Sequence, residues 1–177
     1  MTGRPFHHIG YVVSDLSGAA DRFARTVGAG PFLSIGHVPL PDATWRGAPA
    51  VYDHSTAFGM WGDTLIELSQ IHEAAPGALG EFMGAGDPTH IGHAAWLVDD
   101  LDAETAALGE LGLELVHTGS AGPVRAHWFD GGALFGHPIE VLRRCPENLS
   151  LYAAVREAAA GWDGSEPLRP AFAAPPA

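Results

Sequence analysis

The strongest constraint on this chain is a repeat within its own sequence. The segment that begins HIGYVVSDL at His8 aligns without a gap with the segment that begins HAAWLVDDL at His93. In each copy a histidine precedes an apolar stretch typical of a strand, and an Asp-Leu step that suits a helix N-terminus follows. An amphipathic run with helical spacing comes next. A unit of structure that occurs twice predicts two similar modules packed against each other.

The second half of each copy also matches. Strand-like runs follow both amphipathic segments, and residues 65–68, LIEL, correspond to residues 138–141, PIEV. The first copy is longer, because residues 39–53 have no counterpart in the second. The pattern therefore predicts an α+β fold in which each module contributes one helix and several strands.

The segments outside the two copies have a different composition. Residues 71–89 are rich in Ala, Gly and Pro, which is typical of a linker. Apolar residues at helical spacing beyond Cys145 predict an added C-terminal helix, and the residues from Pro167 onward predict a frayed tail. We therefore predict a first module at 1–70, a linker at 71–89, a second module at 90–144, and a C-terminal helix and tail at 145–177.

Strand parity selects four candidate ligands. Alternate side chains of a strand point to opposite faces of the sheet. Glu67 and Glu140 each lie between two aliphatic residues, and His8 and His93 have the opposite parity to the apolar residues that follow them. A lone glutamate on an open face is usually solvated, and a lone histidine is usually structural. Because both types recur with the same parity, we predict that all four project into one shared cleft.

Two imidazoles and two carboxylates form a mixed nitrogen and oxygen ligand set. Such a set suits a borderline divalent ion such as Zn, Ni, Co, Fe or Mn. Other polar and aromatic residues are candidates for contacts with a substrate, either because they lie in or beside the unmatched 39–53 segment or because a tryptophan can form the wall of a cleft. A hydrogen-bonded loop or a core position is the alternative for each. The candidates are Arg46, Tyr52, His54, Trp61 and Trp128.

The amino-acid composition limits the classes of molecule that the protein could bind. The formal charge of −12 disfavours binding to nucleic acid or to an anionic membrane surface. The sequence has no glycine-rich loop typical of a nucleotide site. It also lacks a cluster of basic residues that could bind the phosphates of coenzyme A. These two features favour a neutral, oxygenated or aromatic compound as the substrate. The single cysteine, with no apolar signal region or membrane-length apolar run, predicts a cytoplasmic protein.

The candidate residues resemble those of the vicinal-oxygen-chelate superfamily, which includes glyoxalase I, methylmalonyl-CoA epimerase, extradiol dioxygenases and antibiotic-sequestering proteins. The resemblance covers roughly residues 6–144. It is carried by His8-Ile9-Gly10, Ile66-Glu67-Leu68, the HAAWLVDD stretch from His93, and Ile139-Glu140. It implies paired βαβββ modules with His8, Glu67, His93 and Glu140 as metal ligands. The epimerase usually has glutamine where this chain has Glu67, whereas bacterial glyoxalase I has the same four residue types.

The resemblance also implies a reaction class. It points to a metal-dependent isomerase or lyase that forms an enolate of a small oxygenated substrate, with Glu140, or else Glu67, as the base. Two alternatives stay open: an enzyme such as a dehydratase or cyclase that modifies an aromatic polyketide with a dispensable metal, and a non-catalytic protein that sequesters a small molecule. Relatives of this kind imply a homodimer.

Overall fold

Residues 3–172 are described by a computed structural model, in which one mixed sheet carries helices on both sides. The strands are β1 (His8–Val12), β2 (Phe32–Pro39), β3 (Thr44–Trp45), β4 (Ala48–Pro49), β5 (Val51–Trp61), β6 (Thr64–Ala75), β7 (His90–Val98), β8 (Leu115–Ala121), β9 (Val124–Phe129), β10 (Ile139–Arg143) and β11 (Leu168–Pro170). The helices are α1 (Leu16–Val27), α2 (Gly77–Met83), α3 (Leu101–Glu110), α4 (Gly132–Phe135) and α5 (Pro146–Ala159). The strand order is β11-β2-β5-β6-β1-β7-β10-β9-β8-β3-β4.

The two modules have the same topology. In the first, β1 pairs in parallel with β6, and α1 lies between β1 and β2 along the chain. In the second, β7 pairs in parallel with β10, and α3 follows β7. The antiparallel pair β1 and β7 joins the modules at the centre of the sheet. The prediction of an α+β fold with two βαβββ modules and an added C-terminal helix, α5, is confirmed. The division of the chain at residues 70, 89 and 144 stays a prediction.

Each module covers one face of its part of the sheet with a helix. In the first module α1 buries Leu16, Ala19 and Ala20 against Ile66 and Leu68 of β6. The second module has the equivalent cluster, which consists of Leu101, Leu108, Phe129, Ile139 and Val141. Because these residues have the parity predicted for the helix-covered side, the residues between them face the concave side of the curled sheet.

Helices α1 and α3 begin at the Asp-Leu steps that the sequence predicts. The Asp100 side chain accepts a hydrogen bond from the Ala103 backbone N–H at 2.9 Å, so it caps α3. Gly28 ends α1 in the left-handed conformation, with φ of 69°. The helices of residues 3–172 are all too short or too polar to cross a membrane.

The unmatched segment 39–53 is not a simple loop. Strands β3 and β4 form a short hairpin within it, and Thr44 and Trp45 pair with Thr118 and His117 of β8. The segment therefore leaves the first module and lies along β8 of the second.

Two further segments differ from the sequence-based expectation. Strand β6 continues to Ala75 and α2 follows it, so the predicted linker contains regular structure. The frayed tail predicted from Pro167 is wrong for residues 168–170, because β11 pairs in parallel with β2. The Phe32 N–H donates to the Pro167 carbonyl at 2.7 Å, which anchors the start of this strand. Residues 173–177 of the predicted tail lie outside the described residues.

Candidate metal centre

Four neighbouring strands bring the candidate ligands together. His8 lies on β1, Glu67 on β6, His93 on β7 and Glu140 on β10, and the order β6-β1-β7-β10 places these strands side by side. The two histidines and two glutamates predicted from the repeat meet on the concave face. All four side chains are buried.

The ligand atoms form a tight cluster. The His93 Nε2 atom lies 3.1 Å from Glu67 Oε2 and 3.2 Å from Glu140 Oε2. The His8 Nε2 atom lies 3.3 Å and 3.4 Å from the same two oxygens. One ligand atom from each residue lies within 4.8 Å of all the others. Each histidine therefore faces both carboxylates.

The centre depends on a glycine across from His93. Gly10 is the register partner of Glu67 on one side and of His93 on the other. A Cβ atom at Gly10 would lie 2.2 Å from His93 Cε1 and 2.3 Å from His93 Nε2, well inside van der Waals contact. Ala95 takes the same place between His8 and Glu140, and there a methyl group is accommodated. The His93 imidazole thus occupies the space that a side chain at Gly10 would fill.

The two glutamates are held differently. Glu67 Oε1 accepts hydrogen bonds from the hydroxyls of Thr56 at 2.6 Å and Ser69 at 3.1 Å. In contrast, Glu140 Oε2 is buried without a hydrogen-bond partner among the described residues. Hydroxyl groups therefore hold Glu67, whereas Glu140 Oε2 has only the two imidazoles as close polar neighbours among the described residues.

The charges of the cluster are set by mutual contact. Burial opposes a charged imidazole, but the Glu140 and Glu67 carboxylates outweigh it and raise the pKa of His93 to about 10. Burial alone would raise the pKa of the Glu67 carboxyl, yet the close imidazoles of His8 and His93 hold this pKa well below its ordinary value. Without an ion, the His93 imidazolium is paired with the two carboxylates.

A neighbouring histidine orients His8. The Nδ1 atoms of His7 and His8 lie 2.8 Å apart. Burial, together with the charge on His8, lowers the pKa of His7 to about 4, so the neutral His7 ring can accept a hydrogen bond from His8 Nδ1–H. This arrangement leaves His8 Nε2 as the atom that faces the carboxylates, and it is a common way of holding a ligating histidine.

The positions of the cluster atoms are compatible with a divalent metal ion. His8 Nε2 and Glu140 Oε2 are both buried without a hydrogen-bond partner in the described part of the chain, so both have an unused ligand position. Ligand bonds of about 2.0–2.2 Å place neighbouring ligand atoms roughly 3 to 3.5 Å apart. The observed separations of 3.1 to 3.4 Å between nitrogens and oxygens fall within this range. These four residues could therefore hold a divalent ion, the identity of which the ligand set leaves open.

A cavity of about 250 Å³ opens beside the cluster, and both glutamates form part of its wall. His54 and Trp128 line it as well. Tyr52 lies behind them in the core, where its ring contacts both side chains with centroid distances of 5.1 Å and 6.5 Å.

The other two candidate substrate residues lie away from the cavity. Arg46 pairs with Glu114 at the surface and lies over the Trp45 ring. Trp61 is 45% exposed at the end of β5. The structure therefore brings His54, Trp128 and, behind them, Tyr52 toward the site, but not Arg46 or Trp61.

Three of the residues that line the cavity near the cluster, and that were not predicted from the sequence, are Thr56, Phe58 and Tyr152. Thr56 and Phe58 could have been found from the turn at Gly62-Asp63, because this turn sets the hairpin register that places Phe58 across from Glu67. Tyr152 of α5 also lines the cavity, and its ring centroid lies 6.2 Å from that of His8. Its helix shows only a core stripe in the sequence, and the docking position of that helix has no local signal.

Comparisons with known proteins agree with the fold described above. No curated protein shows significant sequence similarity to the chain. Among solved structures, methylmalonyl-CoA epimerase from Mycobacterium tuberculosis is similar at 19% identity and a TM-score of 0.55, over 82% of this chain and 91% of that one. A hypothetical protein from Bacillus halodurans C-125 is similar at 18% identity and a TM-score of 0.56, over 81% of this chain and 96% of that one. Both likenesses concern the fold.

Sequence similarity assigns the family directly. The model of the Glyoxalase/Bleomycin resistance protein/Dioxygenase superfamily matches residues 7–130, which include three of the four cluster residues. The fourth, Glu140, lies on the strand equivalent to that of Glu67. The chain therefore belongs to the Glyoxalase/Bleomycin resistance protein/Dioxygenase superfamily.

Proposed function

We propose that this protein is a metal-dependent isomerase or lyase that removes a proton next to a carbonyl group of a small oxygenated compound. The observation that carries the proposal is the buried cluster of His8, Glu67, His93 and Glu140 beside a cavity. A divalent ion held there supplies Lewis-acid chemistry, since it polarises substrate oxygens and makes an adjacent C–H group more acidic. Methylmalonyl-CoA epimerase from Mycobacterium tuberculosis shares the fold, and epimerisation is a reaction of this class.

The difference between the glutamates supports Glu140 as the base. A base must leave its resting contacts to reach the proton that it removes. Glu67 is held by Thr56 and Ser69, whereas Glu140 Oε2 lacks such partners within residues 3–172. Glu140 also lines the cavity, so its carboxylate is within reach of a bound compound. In this role Glu67 orients the site, and Glu140 takes up the proton and returns it.

Metal analysis tests the first half of the proposal. We expect the purified protein, incubated separately with Zn²⁺, Ni²⁺, Co²⁺, Fe²⁺ and Mn²⁺ and then dialysed, to retain one equivalent of at least one ion. His93→Ala should lose that ion, whereas His37→Ala, which removes an exposed imidazole outside the cluster, should keep it. A wild-type protein that retains none of the five ions contradicts the proposal.

Deuterium exchange tests the second half without knowledge of the natural substrate. The α-hydroxyketone 2-hydroxycyclohexanone has two neighbouring oxygens and an exchangeable C–H group. We expect the metal-loaded protein in D₂O to catalyse incorporation of deuterium at this carbon. Glu140→Gln, measured at an ion concentration that saturates the variant, should lower the exchange rate by about 100-fold or more. Binding of the probe without exchange would instead indicate a non-catalytic binding protein.

A further inference from the structure

The cavity beside the metal cluster has walls that are mostly apolar. Strands β5, β8, β9 and β10 contribute alternate residues to its wall, and α5 closes it from the open side of the curled sheet. Typical wall residues are Val38, Leu40, Ala126, Leu142 and Leu151. The part of a ligand that extends away from the metal therefore contacts hydrocarbon.

Two aromatic side chains occupy equivalent places next to the metal cluster. Phe58 is the direct register partner of Glu67, and Trp128 is the direct register partner of Glu140. Both line the cavity and both are buried. Rings that flank a site from two sides favour a flat or cyclic ligand, because stacked and edge contacts with aromatic faces add to the apolar burial.

Trp128 also has an unused polar group. Its indole Nε1 is buried and has no hydrogen-bond partner in the described part of the chain. The ring itself is stacked on His117 at a centroid distance of 4.5 Å, which fixes its orientation. A buried N–H without a partner costs free energy unless a ligand accepts its hydrogen bond. An oxygen on the ligand is a suitable acceptor.

The cavity contains no cation that could bind a phosphate or another anionic group. All nine basic residues of the chain are arginines, and none of them lies in the cavity wall described for residues 3–172. Arginines that form ion pairs do so with acidic residues elsewhere, namely Arg4, Arg25, Arg46, Arg125, Arg144 and Arg169. The charged residues of the wall are Glu67, Glu140 and, where the wall reaches the surface, Glu147.

The net charge of the metal-loaded site also disfavours anionic ligands. Two neutral imidazoles, two carboxylates and one divalent ion sum to zero, so a bound ion is left with no excess positive charge to attract an anionic tail. Glu147 repels such a tail where the cavity meets solvent. The overall charge of −12 acts in the same direction.

We propose that the cavity binds a cyclic compound that presents two neighbouring oxygens to the metal and is otherwise apolar and uncharged, and that it excludes phosphate-bearing thioesters such as acyl-CoA. This inference rests on the proposed metal site. It names the substrate class of that site and separates this chain from the acyl-CoA epimerase that shares its fold.

A pair of probes with the same chelating group tests the proposal. Catechol and its disulfonated derivative offer the same two oxygens on the same ring, but the derivative has two negative charges on the ring body. Calorimetry under anaerobic conditions measures the affinity of the Co²⁺-loaded protein for each probe. The ratio of the catechol affinity to the disulfonate affinity is then compared with the same ratio for free Co²⁺. We expect the ratio for the protein to be at least about tenfold larger than the ratio for the free ion.

Charge substitutions on α5 identify the source of the preference. Glu147→Arg places a cation at the cavity wall and should reduce the discrimination against the disulfonate. Glu157→Arg makes the same change at an exposed position of the same helix outside the wall, and it should leave the discrimination unchanged. Methylmalonyl-CoA should not displace bound catechol at concentrations near the catechol dissociation constant.

The outcomes separate this inference from the function on which it rests. A protein that takes up no Co²⁺ or other divalent ion contradicts the proposed function and the inference together. A protein that takes up Co²⁺ but binds the disulfonate as well as catechol, or binds methylmalonyl-CoA in competition with it, contradicts the inference alone. Preference for catechol that is reduced by Glu147→Arg and unchanged by Glu157→Arg supports it.

Discussion

At the scale of single residues, the two glutamates of the centre differ more than the two histidines do. The Nε2 atom of each histidine lies 3.1 to 3.4 Å from an oxygen of each carboxylate, so the two histidines have nearly equivalent positions in the cluster. Only Glu67 is held by hydroxyl groups, from Thr56 and Ser69. The sequence repeat has thus produced a nearly symmetric cluster in which hydroxyl groups hold the Glu67 carboxylate but not Glu140 Oε2.

Proton release should accompany metal binding. In the metal-free protein the carboxylates outweigh burial and raise the pKa of His93 to about 10, and the same groups raise the pKa of His8. The His93 imidazole therefore holds a proton at neutral pH, and an ion must displace it. We expect the apparent affinity to strengthen as pH rises, by about tenfold per pH unit for each proton displaced between about pH 6 and pH 8. Calorimetry in buffers with different ionisation enthalpies measures this release, and an affinity independent of pH would contradict it.

The Gly10→Ala substitution should damage the centre without touching a ligand. The added methyl group would overlap the His93 imidazole, which must then rotate away from both glutamates. We expect metal affinity to fall by at least about tenfold, in the range found when groups that orient a ligand are lost. Gly109→Ala, on the exposed face of α3 with open space around it, is the matched control and should bind metal normally. Equal affinities for the two variants would show that His93 does not need this space.

The four residues of the cluster could be predicted from the sequence, but the role of Gly10 could not. Parity within each strand and recurrence between the copies were sufficient to select His8, Glu67, His93 and Glu140. The contact between Gly10 and His93 arises where β1 of one module pairs with β7 of the other. A pairing between distant strands is determined by the packing of whole modules, and no local pattern in the sequence reports it.

At the scale of secondary-structure elements, the β5–β6 hairpin determines how firmly Glu67 is held. Its register places Thr56 directly across from Ser69 and Phe58 directly across from Glu67. The two hydroxyls and the aromatic ring therefore meet the carboxylate together. A shift of one residue in this pairing would turn all of these side chains to the other face of the sheet.

The Thr56→Val substitution tests this role of the hairpin. Valine keeps the shape of the side chain but removes the hydrogen bond to Glu67 Oε1. We expect the metal affinity to fall by about 10- to 100-fold while the fold is retained. Thr118→Val removes a comparable hydrogen bond, at 2.7 Å to Thr44, far from the cluster, and serves as the control. If both variants bind metal equally well, the hydroxyl of Thr56 does not orient the ligand.

Elements were predicted well where one face of a strand or helix is apolar and less well elsewhere. Helices α1 and α3 and the strands that carry the ligands follow from periodicity and from helix termini such as Asp100 and Gly28. Strand β11 was missed because its three residues have no alternating pattern and pair only through the backbone with β2. The position of α5 over the cavity depends on packing that spans the molecule.

At the scale of the whole molecule, the centre connects the modules. Each module supplies one histidine and one glutamate, so an ion bound to all four would link β6 and β1 to β7 and β10. A ligand that binds only the folded state stabilises it according to its concentration and affinity. The stability of the protein should therefore depend on the presence of the metal.

Removal of the metal should lower the melting temperature. At a free ion concentration of 100 times the dissociation constant, binding contributes about 2.7 kcal/mol to the free energy of unfolding. For a chain of this size, each kcal/mol corresponds to about 2–4 °C, so a chelator should lower Tm by roughly 5–10 °C. Differential scanning calorimetry of wild type and His93→Ala, each with and without chelator, provides the measurement. A chelator effect of equal size in both proteins would show that the ion acts elsewhere.

The crossing of segment 39–53 shows the limit of sequence-based prediction at this scale. The segment lacks a counterpart in the second copy, and the sequence predicted only that it could contact substrate. Its hairpin also pairs with β8 of the other module, a long-range contact that depends on how the modules come together. The cytoplasmic location and the homodimer stay predictions.

The outermost strands have a consequence for how the protein behaves when it is concentrated. Among the described residues the sheet ends at one edge with β4, which has two residues, and at the other with β11, which has three. Pro49 and Pro170 lie in these strands, and proline has no N–H with which to extend a ladder. Edges this short and interrupted are poor templates for the addition of strands from other chains. The sheet is therefore protected against the edge-to-edge stacking that begins fibrillar aggregation.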